Sequence, residues 1–289
     1  MVNRRLIYFL ERNNLLHQNQ SGFRRGRSTL DNLLALETDI RLAFLQRKHL
    51  VAILFDVEKA YDRTWRSEWV RNYPTFMFKK RGVPQGSVLS VTLFNLKINK
   101  ILNQIPQSVT AYLYVDDLYI SCTGIHMNFI ERQLQNAVNS IQKWSLMNGF
   151  TFSTSKTAAV HFCRKRNLHI DPEIKLDGHS IPLLNEIRFL GVIFDTKLTF
   201  LPHVISLRKK CERSLNILRV LSTTAWGADR PSVLRIYRAI ILSKIDYGCV
   251  IYGSSRKTVL QRLDPVHHTA LRICSGAFRT SPVKSLYVD

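Results

Sequence analysis

The sequence has no apolar run long enough to cross a bilayer. The longest runs, such as VAILF at residues 51–55, fall far short of the roughly 18 residues a spanning helix needs. The N-terminus, MVNRRLIYFLERNN, follows its basic residues with only five apolar ones, too few for a secretory leader whose apolar region runs to about 7 or more. An intracellular chain is expected. The five cysteines, Cys122, Cys163, Cys211, Cys249 and Cys274, are odd in number and widely spaced, and they form no CxxC pair. That pattern excludes a disulfide framework and argues against a zinc site, leaving reduced, mostly buried thiols. Internal repeats and low-complexity tracts are missing as well, so a solenoid or a disordered linker protein is excluded.

Acidic residues are scarce: 21 Asp and Glu stand against 42 Lys and Arg, a formal charge of +21. The imbalance is steepest toward the ends, with 9 basic and 4 acidic residues in 1–50 and 15 and 5 in 201–289. A ribosomal-type basic protein shares such a balance. So does a protein that tracks a long polyanion, because each neutralised phosphate releases counterions and adds sequence-independent affinity.

At 289 residues the chain can bury a sizeable core in one or two domains. Leu30, Leu33, Leu34, Ile40 and Phe44 recur at near-helical spacing over 29–46, after the basic, Gly-punctuated loop QSGFRRGRS. VAILFDV is a β-branched apolar run of the buried-strand kind. AYLYV and LYISC predict a hairpin, 127–148 a helix stopped by Gly149, and FTFS, AAVHFC and IRFLGVIFD strands. SVLSVTLFNLKINKIL predicts a helix, and beyond Phe200 three more follow, the first carrying the stripe Leu207, Cys211, Leu215, Leu218, Leu221 and the last running over 258–274.

Within the hairpin, Asp116 and Asp117 are adjacent in a segment otherwise built for burial. Two carboxylates 4 Å apart repel by about 4 kcal/mol at an effective dielectric near 20. In a regular strand they would face opposite ways, but at a hairpin tip both can project from the turn, and a divalent cation there would offset the repulsion. Asp56, at the end of VAILF and 60 positions earlier, is the natural third carboxylate. A DD turn that merely caps a hairpin is the plainer alternative, and Glu58 and Asp62 read as surface groups.

The ordered set VAILFDVEKAYDRTW, RGVPQGSVLSVTLFN, AYLYVDDLYI, NGFTFSTSKT and IRFLGVIFD closely resembles the successive palm motifs of reverse transcriptases. With QSGFRRGRSTLDNL ahead and LDPVHHTALRICSGAFRTSPVKSLYVD behind, the chain resembles the polymerase of non-LTR retrotransposons of the jockey-like insect class. The resemblance implies an α+β, right-hand polymerase fold: partial fingers over 1–50, a palm over 51–200 and a helical thumb over 201–289. It implies an RNA-directed DNA polymerase that adds dNTPs to a DNA primer on an RNA template by a two-metal mechanism with Mg²⁺. By the same resemblance Asp56 and Asp116 bridge the metals, Asp117 supports them, and Lys156 donates a proton to departing pyrophosphate. Tyr61 is the steric gate against a 2′-hydroxyl, Gln85 and Gly86 border the nucleotide pocket, and Arg24 and Arg27 reach toward triphosphate or template. Phe189, Leu190 and Gly191 match the primer grip. No membrane is involved, and a nuclear protein or a cytoplasmic ribonucleoprotein is implied.

The sequence also departs from that family. From Asp56 to Gln85 is 29 positions, short by roughly a helix-turn-helix and a strand, with the shortening between Trp65 and Arg81. Val91 stands where the family usually has proline. The chain thus reads as a shortened copy or a piece of a longer polyprotein, and a derivative that binds RNA or duplex without catalysis is the rival expectation.

Overall fold

The computed structural model describes residues 2–58, 87–165, 171–223 and 227–287. The chain divides into two compact units, residues 1–190 and 191–289.

The first unit contains helices α1 (Val2–Arg12), α2 (Thr29–Leu45), α3 (Val88–Ile98) and α4 (Met127–Asn148), and strands β1 (His49–Phe55), β2 (Thr110–Tyr114), β3 (Asp117–Gly124) and β4 (Ala158–Phe162). Two-residue strands β5 (Lys175–Leu176) and β6 (His179–Ser180) pair with each other, and β7 (Glu186–Phe189) follows. Strands β1 to β4 form one antiparallel sheet in the order β2-β3-β1-β4. Its centre is β1, whose residues His49 to Ile53 and Phe55 are all buried. A strand buried on both faces reads as a continuous apolar run rather than an alternating one, and HLVAILF is that run.

The two faces are covered by different helices. Val51, Ile53 and Phe55 of β1 join Leu118, Ile120 and Cys122 of β3 in a core with Ile130, Leu134, Val138, Ile141 and Trp144 of α4. These α4 positions recur at steps of three and four, so one helical stripe seals one sheet face. The opposite face carries Tyr112 and Tyr119 and meets α2; burial, and then Asp39 of α2, raises the pKa of both tyrosines, and burial pushes Asp39 itself up to about 6. Local signals set the helix ends. Ser28 caps α2, its hydroxyl accepting from the Leu30 amide while its own amide donates to Asp31, a reciprocal capping box. Gly149, at φ 76°, closes α4 in the left-handed conformation expected of it.

The second unit holds β8 (Val192–Asp195), α5 (Leu201–Leu221) and α6 (Arg230–Tyr237), the last continuing through a π turn at Arg238–Leu242 into Ser243–Asp246. The expected stripe on α5 is largely buried at Leu207, Cys211, Leu215 and Leu218, and it packs on α6 and on the last helix, Asp264–Ser275.

Three expectations are corrected. FTFS forms no strand; Phe152 makes one isolated bridge to Val57. IRFLGVIFD is interrupted because Leu190 and Gly191 adopt positive φ, 43° and 88°. The helix over 258–274 is interrupted at Gln261–Leu263. There Pro265, which cannot donate an amide hydrogen bond, opens a new helical first turn. Among the described residues no helix is long and apolar enough to cross a membrane.

Ile53 is fully buried between β3, β4 and α4. Ile53→Ala is expected to lower the stability of the chain by about 2–5 kcal/mol, read as a lower urea midpoint with the slope unchanged.

Candidate active site

The sheet register assembles the carboxylates. Phe55 of β1 lies opposite Leu118 of β3, the last pair of an antiparallel ladder that begins at His49 and Gly124. Continuing that register by one residue sets Asp56 beside Asp117. The β2–β3 hairpin closes on the pair Tyr114 and Asp117, leaving Val115 and Asp116 as a two-residue tip. The adjacent Asp116 and Asp117 thus meet Asp56, 60 and 61 positions earlier in the sequence, at one end of the sheet.

The tip is strained and braced. Val115 sits at φ 61°, a left-handed conformation that costs a β-branched residue on the order of 1–3 kcal/mol and survives only where surrounding structure enforces it. The enforcing segment is residues 19–22. The Ser21 amide donates to the Leu113 carbonyl at 3.0 Å, and the Leu113 amide to the Asn19 carbonyl at 2.9 Å. Buried Gln20 accepts through Oε1 from the amides of Gly22 (2.9 Å) and Val115 (3.4 Å). Gly22 packs so closely that a Cβ there would lie 2.5 Å from the Val115 nitrogen. Asn95 of α3 donates to the Gly22 carbonyl at 2.6 Å, holding the brace from behind. Sequence reasoning missed these bracing residues, although the small residues in QSG were a signal of close backbone approach.

The site is electrostatically unbalanced. Burial, then Asp116, then Asp56 push the Asp117 carboxyl up to about 6 although its side chain reaches solvent at the tip. Asp116 is also raised, mainly by burial and further by Asp56, with its own backbone opposing. Among the described residues one cation faces the group: Lys156 Nζ lies 3.4 Å from Asp56 Oδ2. It gets there because the segment after α4 clips onto the end of β1, the Glu58 amide donating to the Thr151 carbonyl and the Ser153 amide to the Asp56 carbonyl. Both partners are solvent-exposed, so the pair contributes no more than about 1 kcal/mol. Hard oxygen donors with unrelieved mutual repulsion suit a divalent cation such as Mg²⁺.

The other expected residues distribute differently. Arg24 is committed within the fold: its guanidinium meets both oxygens of Glu11, at 2.8 and 2.6 Å, and donates to the carbonyls of His17 and Gln20. It anchors the bracing loop, while Arg27 is exposed. Phe189 packs edge-on against Tyr119 beneath the hairpin. Tyr61, Gln85 and Gly86, with the shortened stretch between Trp65 and Arg81, lie outside the described residues. In the second unit, Arg208, Lys209, Arg213 and Arg219 of α5 line a shallow cleft of about 580 Å³ against Pro265 and Thr269.

Comparisons with known proteins identify the family. Residues 1–194 match the family described as reverse transcriptase (RNA-dependent DNA polymerase). The chain is 25% identical over 313 residues to the probable RNA-directed DNA polymerase from transposon BS of Drosophila melanogaster, covering 94% of the chain and 34% of that protein. It is 24% identical over 294 residues to the RNA-directed DNA polymerase from mobile element jockey of Drosophila funebris, covering 89% and 32%. The chain therefore spans about a third of the length of the curated relatives it matches. Among solved structures it is similar to telomerase from Candida albicans in complex with a fragment of telomeric RNA, at 13% identity and a TM-score of 0.43, covering 99% of this chain and 52% of that one.

Two outcomes follow from the site. Gly22→Ala drives a methyl into the Val115 backbone and should cost about 1–3 kcal/mol, visible as a lowered thermal midpoint. The second concerns pH. Because the folded state raises the Asp117 pKa from 3.8 to about 6, the ionised group opposes folding above about pH 6, and that opposition fades as pH falls toward 3.8. Without divalent cations, Asp117→Asn should melt higher than the parent at pH 7, and the gap should close by about pH 4. An equal gap at both pH values would show that charge is not its origin.

Proposed function

This chain belongs to the reverse transcriptase family, and from that premise we propose that it is the polymerase core of a non-LTR retrotransposon, adding dNTPs to a primer 3′-hydroxyl on an RNA template. The observation that carries the proposal is the convergence of Asp56, Asp116 and Asp117 through the β1–β3 register and the hairpin tip. Curated relatives named as RNA-directed DNA polymerases of mobile elements support it.

Asp56 and Asp116 would hold two Mg²⁺ ions, with Asp117 sustaining the local negative charge. Bound there, the ions supply Lewis acidity for ionising the primer hydroxyl and for neutralising the pyrophosphate as it leaves. Lys156, within 3.4 Å of Asp56, would give its Nζ proton to a pyrophosphate oxygen. Tyr61 excludes a 2′-hydroxyl from beneath the sugar, and Gln85 and Gly86 border the incoming nucleotide. Arg27 is an exposed phosphate contact. Template and primer are held through their backbones by the +21 charge, to which the α5 cations contribute on the second unit. The protein acts in the nucleus or in a cytoplasmic ribonucleoprotein.

Primer extension tests this directly, with RNA template, DNA primer, dNTPs and Mg²⁺. Extension by the parent, reduced by on the order of 10²–10³ or more in Asp116→Ala, is the expected result. If neither protein extends while both keep salt-sensitive duplex binding, the chain is a nucleic-acid binder and the proposal fails.

A further inference from the structure

Among the described residues, one group of His, Cys, Asp or Glu side chains brings three ligand atoms within 4.8 Å of one another, and it is not at the hairpin tip. It comprises His49, His161 and Cys163. His49 opens β1, His161 lies near the end of the antiparallel β4, and Cys163 follows that strand. The group therefore occupies the opposite end of β1 from Asp56, seven residues or about 23 Å away.

Both imidazoles are buried, His49 at 4% exposure and His161 at 8%. His49 Nδ1 lies 2.9 Å from His161 Nε2, His161 Nδ1 is 3.0 Å from Asp171 Oδ1, and Lys165 Nζ is 3.3 Å from His49 Nε2. With neutral rings these distances admit one consistent set of tautomers. Lys165 donates to His49 Nε2, His49 Nδ1–H donates to His161 Nε2, and His161 Nδ1–H donates to Asp171. The relay satisfies the two histidines, but it gives no reason for the Cys163 sulfur to point at the same place. That sulfur accepts from the Lys165 amide at 3.3 Å. The strand exit is pinned in turn by Arg164, stacked 4.5 Å over the Phe44 ring of α2.

We propose that His49, His161 and Cys163 form a binding site for a borderline-soft divalent transition metal, zinc foremost, with a fourth position open to water or another ligand. Two imidazole nitrogens and a thiolate select such ions against Mg²⁺ and Ca²⁺, which require oxygen donors. Asp171 acts as a positioning residue. It fixes the His161 tautomer with Nε2 unprotonated, the arrangement in which a carboxylate orients a metal-bound histidine. Zn–N bonds of 2.0–2.1 Å at a tetrahedral centre set neighbouring nitrogens about 3.3 Å apart, so the rings need separate by only about 0.4 Å. On binding, the Cys163 proton passes to solvent. The His49 proton moves from Nδ1 to Nε2, and Lys165, exposed and flexible, turns outward. The bound ion would tie the start of β1 to the end of β4, stabilising the central strand from the end remote from the carboxylates.

The test uses the metal-free full chain and Co²⁺ as a spectroscopic probe. One equivalent should produce thiolate-to-cobalt charge-transfer absorption with intense tetrahedral bands, bleached by stoichiometric Zn²⁺ and indifferent to excess Mg²⁺. Cobalt at the hairpin carboxylates would give only weak bands without charge transfer. Cys163→Ser should abolish the charge-transfer band, with folding checked by circular dichroism. Asp171→Asn should weaken Zn²⁺ affinity by about 10–100-fold while keeping the band. In the unmutated protein, peptide mapping should show Zn²⁺ protecting Cys163 from alkylation, a readout that needs no variant to fold. Absence of the band together with equal alkylation with and without Zn²⁺ overturns the proposal, as does a band that survives in folded Cys163→Ser.

Discussion

The antiparallel pairing of β1 with β3 is the constraint on which the first unit depends. One ladder, running from His49 opposite Gly124 to Phe55 opposite Leu118, places the apolar residues of both strands under α4 and carries Asp56 to the hairpin tip. Side chains alternate along a strand, so a slip of one residue would turn Val51, Ile53 and Phe55 away from the α4 core and move Asp56 out of line with Asp117. Core packing and site geometry are therefore set by the same register. Burial of the apolar face makes the carboxylate arrangement specific, because any other register forfeits the core.

The tip itself stores unfavourable energy in two forms. Val115 is held in a left-handed backbone conformation, and burial, with the neighbouring carboxylates adding to it, raises the proton affinity of Asp117 and Asp116. Among the described residues, the weak Lys156 contact is the cation that faces the carboxylates. The parallel clamp of residues 19–22 and the side chains of Gln20 and Asn95 keep the turn in place. A site arranged in advance for positive charge must be unfavourable without it, and stability drawn from the α4 core permits that cost.

β1 joins two chemically distinct ends of the sheet. At its C-terminal end are oxygen donors suited to hard cations and phosphate chemistry. At its N-terminal end, imidazole and thiolate donors are suited to a softer ion, and they bridge β1 and β4. Since the strand between them is buried almost throughout, a metal at the N-terminal end would act on the carboxylate end only by stiffening the strand they share. The two ends need not compete for ions, because their donor chemistry already separates them.

Much of this was legible in the sequence. Period-3.6 stripes located α2, α4 and α5, a continuous apolar run located β1, and Gly149 marked the end of α4. The Asp pair and Asp56 could be read as one cluster through the ordered palm motifs, since a DD turn that caps a hairpin accounts for the pair by itself. Residues whose role depends on contacts distant in sequence were not legible. Arg24 reads as a phosphate ligand in a basic loop, yet it pairs with Glu11, and nothing in local spacing announces that partner. Gln20 and Gly22 acquire their meaning only from the backbone of Val115, about 95 positions away. Cys163 carries no metal-ligand spacing of the CxxC kind, because one of its companions, His49, comes from a strand more than a hundred residues earlier. Sequence alone determined where α2, α4, α5 and β1 lie and which residues bear charge, since those follow from local periodicity and composition. Only the tertiary structure decided which of them meet, because register and packing are set by burial across the whole sheet.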